Sequence, residues 1–205
     1  MTPKDVFFDY LGEQFYPRLK REGFRGAQST MRRLSGECIH IVNVEGWRYG
    51  GERCINVAVA FRFVPETDPK RVTEAQCDFG RRLGAAPGSD RWFQFGTTEE
   101  EARRAAQTMT DVYFSEAPDF FQRFGRFPDG YTSYTADCVV HRPLEELPPL
   151  RSRWRSIPRY ALFFARMWLH LGDKSRAQEF AQLGLEHLGK ATGLKDEFET
   201  MLLET

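Results

Sequence analysis

Two runs of alternating residue size, Cys38–Glu45 and Arg53–Val64, flank the glycine-rich stretch Gly46-Trp47-Arg48-Tyr49-Gly50-Gly51. A period of two places successive side chains on opposite faces, so each run reads as a strand and the pair as an antiparallel hairpin. In the first run Cys38, His40, Val42 and Val44 alternate with Ile39, Ile41 and Asn43. In the second, Ile55, Val57, Val59, Phe61 and Phe63 stand opposite Asn56, Ala58, Ala60 and Arg62. The large set belongs in a core, and the small alanines imply that something packs closely on the back. A hairpin with one apolar face must find a cover for it.

That cover is provided upstream. Thr2 suits an N-cap, Pro3 the first helical position and Asp5 the first turn. Phe7, Leu11, Phe15 and Leu19 then recur every fourth residue, with Val6 and Tyr10 widening the stripe. Pro17 predicts a kink, and Gly23 a stop after which Phe24 folds back on the helix. Gln28–Leu34 reads as a first strand turning at Ser35-Gly36, and Pro65–Pro69 as a loop. Cys77–Leu83 and Arg91–Phe95 are further strands, parted by the turn-rich Gly84-Ala85-Ala86-Pro87-Gly88.

The second half is helical. Thr98-Glu99-Glu100-Glu101 is a capping box with three acids in the positive first turn. Ala102, Ala105, Met109, Val112 and Tyr113 are expected to face one way, and Pro118 to kink or restart the chain before an aromatic turn at Asp119–Phe124. Gly125–His141 reads as irregular, with a strand at Thr132–Val140, and Pro143–Pro149 as a linker. Pro158–Leu171 and Lys174–Leu188 form a helical hairpin closed at Gly172-Asp173. Its Leu171-Gly172-Asp173, Ala177, Phe180 and Leu185 resemble half of a tetratricopeptide unit, but a solenoid needs about three copies. The expected class is α+β: an N-terminal helix packed on an antiparallel sheet, with C-terminal helices including an αα-hairpin. The expected division is a sheet domain over residues 1–146 and a helical annex over 147–205, packed on the same core.

Leu19-Lys20-Arg21-Glu22-Gly23-Phe24, the strand Ile39-His40-Ile41-Val42-Asn43-Val44, and Gly50-Gly51 leading to Ile55-Asn56-Val57 carry a resemblance. Together with Arg91-Trp92-Phe93, the N-terminal half resembles the bacterial domain-of-unknown-function family numbered 4304. In that family a glutamine is common after the second strand, where this chain has Glu45. The resemblance implies a fold and carries no activity with it.

Lysine plus arginine and aspartate plus glutamate each total 29, so the formal net charge is zero. That balance argues against a dedicated polyanion binder, which relies on excess positive charge. The N-terminus lacks a basic region and cleavage site of the export type, and the apolar run Tyr160–Leu171 is too short for a membrane span. Cys38, Cys54, Cys77 and Cys138 lie in no C-x-x-C pair, as expected of reduced, mostly buried thiols in a cytoplasmic protein. Cys38-x-His40 and Cys138-x-x-His141 match no recognised zinc spacing, so no metal and no cofactor is expected. Phosphate-loop, dinucleotide, zinc-protease and serine-hydrolase motifs are absent from the sequence, so no catalytic residue is assigned.

Two clusters remain. Trp47, Arg48 and Tyr49 at a hairpin tip are residue types enriched at binding hot spots, against the duller reading that the rings cap an open end of the sheet. Arg151, Arg153, Trp154 and Arg155 could clamp phosphates and stack on a base, or pair with Glu145 and Glu146 and keep a linker soluble. The leading expectation is a non-catalytic module that binds another protein, in one concrete form a bacterial immunity protein neutralising a toxin. The alternatives are an enzyme with a site in the sheet–helix cleft around His40, Cys138 and His141, and a weak nucleic-acid binder using the arginine–tryptophan cluster. The sequence leaves the oligomeric state open.

Overall fold

The computed structural model describes residues 1–27, 29–77, 79–85, 91–143, 146–150, 156–189 and 192–203. Its contacts group into two units, Met1–Phe61 with Asp68–Phe127, and Arg62–Thr67 with Pro128–Thr205. The architecture is α+β.

The first unit begins with α1 (Pro3–Tyr10), whose Thr2 and Asp5 form a reciprocal capping box. A π-helical turn follows at Leu11–Phe15, where the Tyr16 N–H reaches back to the Leu11 carbonyl, and α2 (Tyr16–Arg21) completes the run. The four-residue repeat explains the wide turn. Residues four apart drift around a helix of 3.6 residues per turn, and one wider turn returns them to a common face. Phe7, Leu11, Phe15 and Leu19 are accordingly all fully buried. The irregularity forecast at Pro17 is thus a π turn just before the proline. Phe24 folds back as expected, its N–H donating to the Leu19 carbonyl.

Six strands make one antiparallel sheet: β1 (Arg25–Ala27), β2 (Thr30–Ser35), β3 (Cys38–Gly46), β4 (Glu52–Phe61), β5 (Phe79–Arg82) and β6 (Phe93–Gln94). They lie in the order β1-β2-β3-β4-β5, with β6 also paired to β4. The β3–β4 hairpin runs in register from Cys38 opposite Phe61 to Gly46 opposite Arg53. β1 was not expected; Gly26, at φ 134°, lets it turn tightly enough that a Cβ there would lie 2.5 Å from the Thr30 carbonyl.

One face of the sheet, with Val42, Ile55, Val57, Val59, Phe61 and Phe79 buried, carries the helices. The long helix α3 (Glu99–Phe124) lies against α1, and Tyr113 meets Phe15 edge-on at 5.2 Å. α3 is continuous through Pro118, which corrects the expected restart of the chain there. Proline removes one backbone bond, but Tyr113, Ala117, Phe120, Phe121 and Phe124 are buried on both sides of it, and packing outweighs local propensity. The buried stripe uses Ala106 in place of the expected Ala105.

On the back face, Ile39, Ile41, Ala58 and Ala60 cluster with Val72 and Cys77 of the segment before β5. The small alanines are therefore matched by a closely packed loop. Arg32 ties it down, donating from Nε to the Val72 carbonyl at 2.6 Å and from Nη2 to that of Arg71 at 3.2 Å.

In the second unit, α4 (Ala136–His141) stands where a strand was expected at Thr132–Val140. Thr135 accounts for the difference: its hydroxyl accepts from the Cys138 N–H at 3.2 Å, an N-cap that outweighs the β-branched valines. α5 (Ile157–His170) and α6 (Lys174–Glu186) form the expected hairpin, joined by α7 (Lys195–Leu203). Gly184 is the seat for the Phe198 ring, whose edge lies 2.2 Å from where a Cβ would sit. Phe63, read from the alternation as sheet core, lies past the end of β4 and stacks on His170 at 5.0 Å. The 146/147 division read from the sequence lies within this unit. Among the described residues no helix is long and apolar enough to cross a membrane.

Candidate interaction surface

The β3–β4 turn is built by its glycines. Gly50 and Gly51 have φ of 84° and 81°, a region costly for other residues. The Gly50 N–H closes the turn on the Trp47 carbonyl at 2.9 Å, and the Gly51 carbonyl accepts from the Phe95 N–H at 2.9 Å. The backbone is pinned at both ends while the side chains project. Tyr49 is 74% exposed and Trp47 41%.

The exposed rings are not loose. Trp47 meets Tyr49 edge-on at 5.7 Å and Trp92 at 5.2 Å, while the Arg48 guanidinium lies 4.6 Å over Tyr49. Behind Trp92, at 4.5 Å, lies the guanidinium of Arg82. Arg82 in turn donates to Glu45 Oε2 and to Asn56 Oδ1, each at 3.2 Å, and Asn56 donates to the same Glu45 oxygen at 2.9 Å. Glu45 thus anchors the polar end of an aromatic–arginine ladder that ends at Tyr49. Buried beside it, the Cys54 thiol is pushed up to about 12, chiefly by desolvation.

Alternation along β3 and β4 carried Trp47, Arg48 and Tyr49 to the tip. It gave no sign of Trp92, just before β6, or of Arg82 on β5, which arrive through sheet pairing. The usable signal was Arg91-Trp92-Phe93, an aromatic pair in a polar stretch near the sheet's end. Arg151, Arg153, Trp154 and Arg155 lie outside the described residues.

A second polar cluster surrounds His40, on the inner face. Arg33 lies opposite it across the β2–β3 pair and donates from Nη2 to His40 Nδ1 at 2.9 Å. His40 Nε2 lies 2.9 Å from the Gly125 carbonyl. Arginine can only donate and a carbonyl can only accept, so the ring is neutral with its proton on Nε2. It also stacks on Phe121 at 4.5 Å. Burial, with Arg33 adding to it and the Gly125 bond opposing, holds the imidazole down to about 4. Gly125 permits this: a Cβ there would lie 2.3 Å from His40 Nε2. The cleft alongside is about 430 Å³ and is lined by Glu22, Ser35, Gln122 and Arg126 among others. Desolvation raises the Glu22 carboxyl.

The other histidine and cysteine of the enzyme reading lie on α4, in the second unit. His141 pairs with Asp137 at 3.5 Å on the surface, and the Cys138 thiol accepts from the Thr135 hydroxyl at 3.2 Å. That bond is the main reason the Cys138 thiol is lowered. Among the described residues no three His, Cys, Asp or Glu side chains gather as ligands of a metal ion would. No disulfide joins Cys38, Cys54, Cys77 or Cys138.

An α+β sheet domain whose turn end displays braced aromatics and arginines is a class of architecture rather than an activity. The chain matches the family described as domain of unknown function (DUF4304) over residues 15–122, just over half its length, and belongs to that family. The match spans α2 through all six strands to Gln122 in α3. No curated protein and no solved structure gives a significant match.

Proposed function

We propose that this chain is a protein-binding module without chemistry of its own, and that it engages its partner through the β3–β4 turn. The observation carrying this reading is the braced exposure of Trp47 and Tyr49 against Trp92. Large rings already held in place lose little side-chain freedom on docking, and tryptophan, tyrosine and arginine dominate interface energetics. The neutral net charge fits a protein partner better than a polyanion. A cytoplasmic bacterial immunity protein that plugs a toxin is the concrete form we favour. The engagement of both His40 ring nitrogens within the fold makes an enzyme centred on that residue the weaker alternative.

The test pairs Trp47→Ala with Arg48→Ala and measures thermal unfolding together with affinity for the product of the neighbouring gene. The expected outcome is nearly unchanged folding with binding weakened by about 2 kcal/mol or more. A stable variant with unchanged affinity for that partner places the surface elsewhere. Loss of fold makes Trp47 a structural cap.

A further inference from the structure

At the same end of the sheet, on its inner face, an open cavity of about 700 Å³ is lined by Phe8, Tyr16, Ala27, Val44, Gly46 and Arg53 among others. Two of its walls are chemically unusual. Tyr16 is only 4% exposed, and its hydroxyl, closed off from solvent, has no hydrogen-bond partner among the described residues. A buried hydroxyl without a partner carries a desolvation cost that folds seldom leave standing. Arg53 lies on the core face of β4, one position before Ile55 in the alternation. Among the described residues its guanidinium meets no carboxylate: Nη1 donates to the Glu52 carbonyl at 2.9 Å, and the group lies 5.1 Å over Phe8 and 5.5 Å over Phe95. Gly46, directly opposite, makes room for it, since a Cβ there would sit 2.6 Å from Nη1. Arg53 is close enough for its charge to bear on the Tyr16 phenol.

We propose that this cavity binds a small organic carboxylate with a compact apolar body. Its carboxylate would pair with the Arg53 guanidinium and accept from the Tyr16 hydroxyl, while its body lies against Phe8 and Val44. One guanidinium and one hydroxyl match a single charge shared by two oxygens. A phosphate dianion would bring more charge and more acceptors than these walls supply. Arg53, half-buried and tied to the fold by one hydrogen bond, is the wall residue best able to move aside as the ligand enters. The assignment needs no protein partner, so it stands or falls separately from the turn surface.

The probe is 3-phenylpropionate, with hexanoate as an aliphatic counterpart, 3-phenylpropionamide as the uncharged match and inorganic phosphate as the competing anion. Binding is followed by titration of the backbone amide resonances, which locates the ligand as well as weighing it. We expect a dissociation constant of about 1 mM or below for at least one carboxylate, as fits a ligand of this size. Shifts should concentrate at Val44, Gly46 and Arg53. The amide should bind at least about tenfold more weakly, Arg53→Met should lose about tenfold, and Tyr16→Phe about fivefold. Failure of both carboxylates to bind overturns the proposal, as does equal binding of the amide or unchanged affinity in Arg53→Met. Phosphate binding more tightly than either carboxylate overturns the choice of ligand.

Discussion

His40 and the Tyr16–Arg53 pair lie against the same face of the same sheet, yet the fold treats them oppositely. Around His40 both ring nitrogens have partners, Phe121 covers one face, and Gly125 is shaped to let its carbonyl approach. At the other end, among the described residues, a phenol is buried with no partner and a guanidinium lies over rings without an acid. A polar group whose bonds all close inside the chain is part of the architecture. One left without a partner beside a cavity is a cost that something outside the chain can offset. Buried polarity is therefore a guide to function only after its partners have been accounted for.

The sharpest way to break this contrast is at Gly125. An added methyl would lie 2.3 Å from His40 Nε2 and 2.6 Å from the Phe121 carbonyl, one of them backbone that cannot yield. Gly125→Ala should both overpack the site and separate the histidine from its acceptor, costing about 4 kcal/mol. Urea unfolding at neutral pH measures it. A loss within experimental error would mean that the His40 cluster is not the closed structural unit described.

Acid titration sharpens the same side. In the fold His40 is held near 4, against about 6.5 when unfolded. Between those values the unfolded chain binds more protons, so stability rises with pH through that window. The contribution is fully present above about pH 6.5 and is lost progressively as pH falls towards 4, to a total of about 3 kcal/mol. Carboxylates titrate nearby, so the measurement is the difference between the parent and His40→Gln, unfolded in urea at pH 7 and pH 4.5. The parent should lose more stability than the variant; equal losses would show that the imidazole is not the group responsible.

Much of this contrast was written in the residues, but unevenly. Alternation in β3 and β4 announces the hairpin and the core face of β4, because a period of two has no competing explanation over eight or more residues, while the register waits for the pairing itself. The four-residue repeat of Phe7, Leu11, Phe15 and Leu19 announces a buried helix and also holds the reason for its π turn, which Pro17 alone does not reveal. The same alternation placed Arg53 among Ile55, Val57 and Val59, a charge on an apolar face, and that was the overlooked sign of the cavity. Tyr16 carried no such mark. Its neighbours look like any amphipathic helix, and whether its hydroxyl finds a partner depends on how the helix meets β3 and β4. Trp92 and Arg82 likewise reach the turn only through strand pairing across long separations. The helix at Ala136–His141 was missed because a side-chain cap, not side-chain pattern, decides so short an element.

The last prediction is the smallest and the most diagnostic, because its sign is unusual. Most buried tyrosines lose stability when cut to phenylalanine, since a hydroxyl that had a partner leaves that partner unsatisfied. At Tyr16 there is no partner to orphan among the described residues, while the ring, packed at 5.3 Å against Phe15, is retained. Tyr16→Phe should therefore make the protein more stable by about 1 kcal/mol, or about 2–4 °C in Tm for a chain of this size. The same change at Tyr160, whose hydroxyl donates to the Pro148 carbonyl at 2.7 Å, should lower stability by about the same amount. Scanning calorimetry of the two variants beside the parent compares equal chemistry in opposite settings. A destabilised Tyr16→Phe would mean that the hydroxyl finds a partner in solution, and the distinction between the closed and open polar sites would fail at that residue.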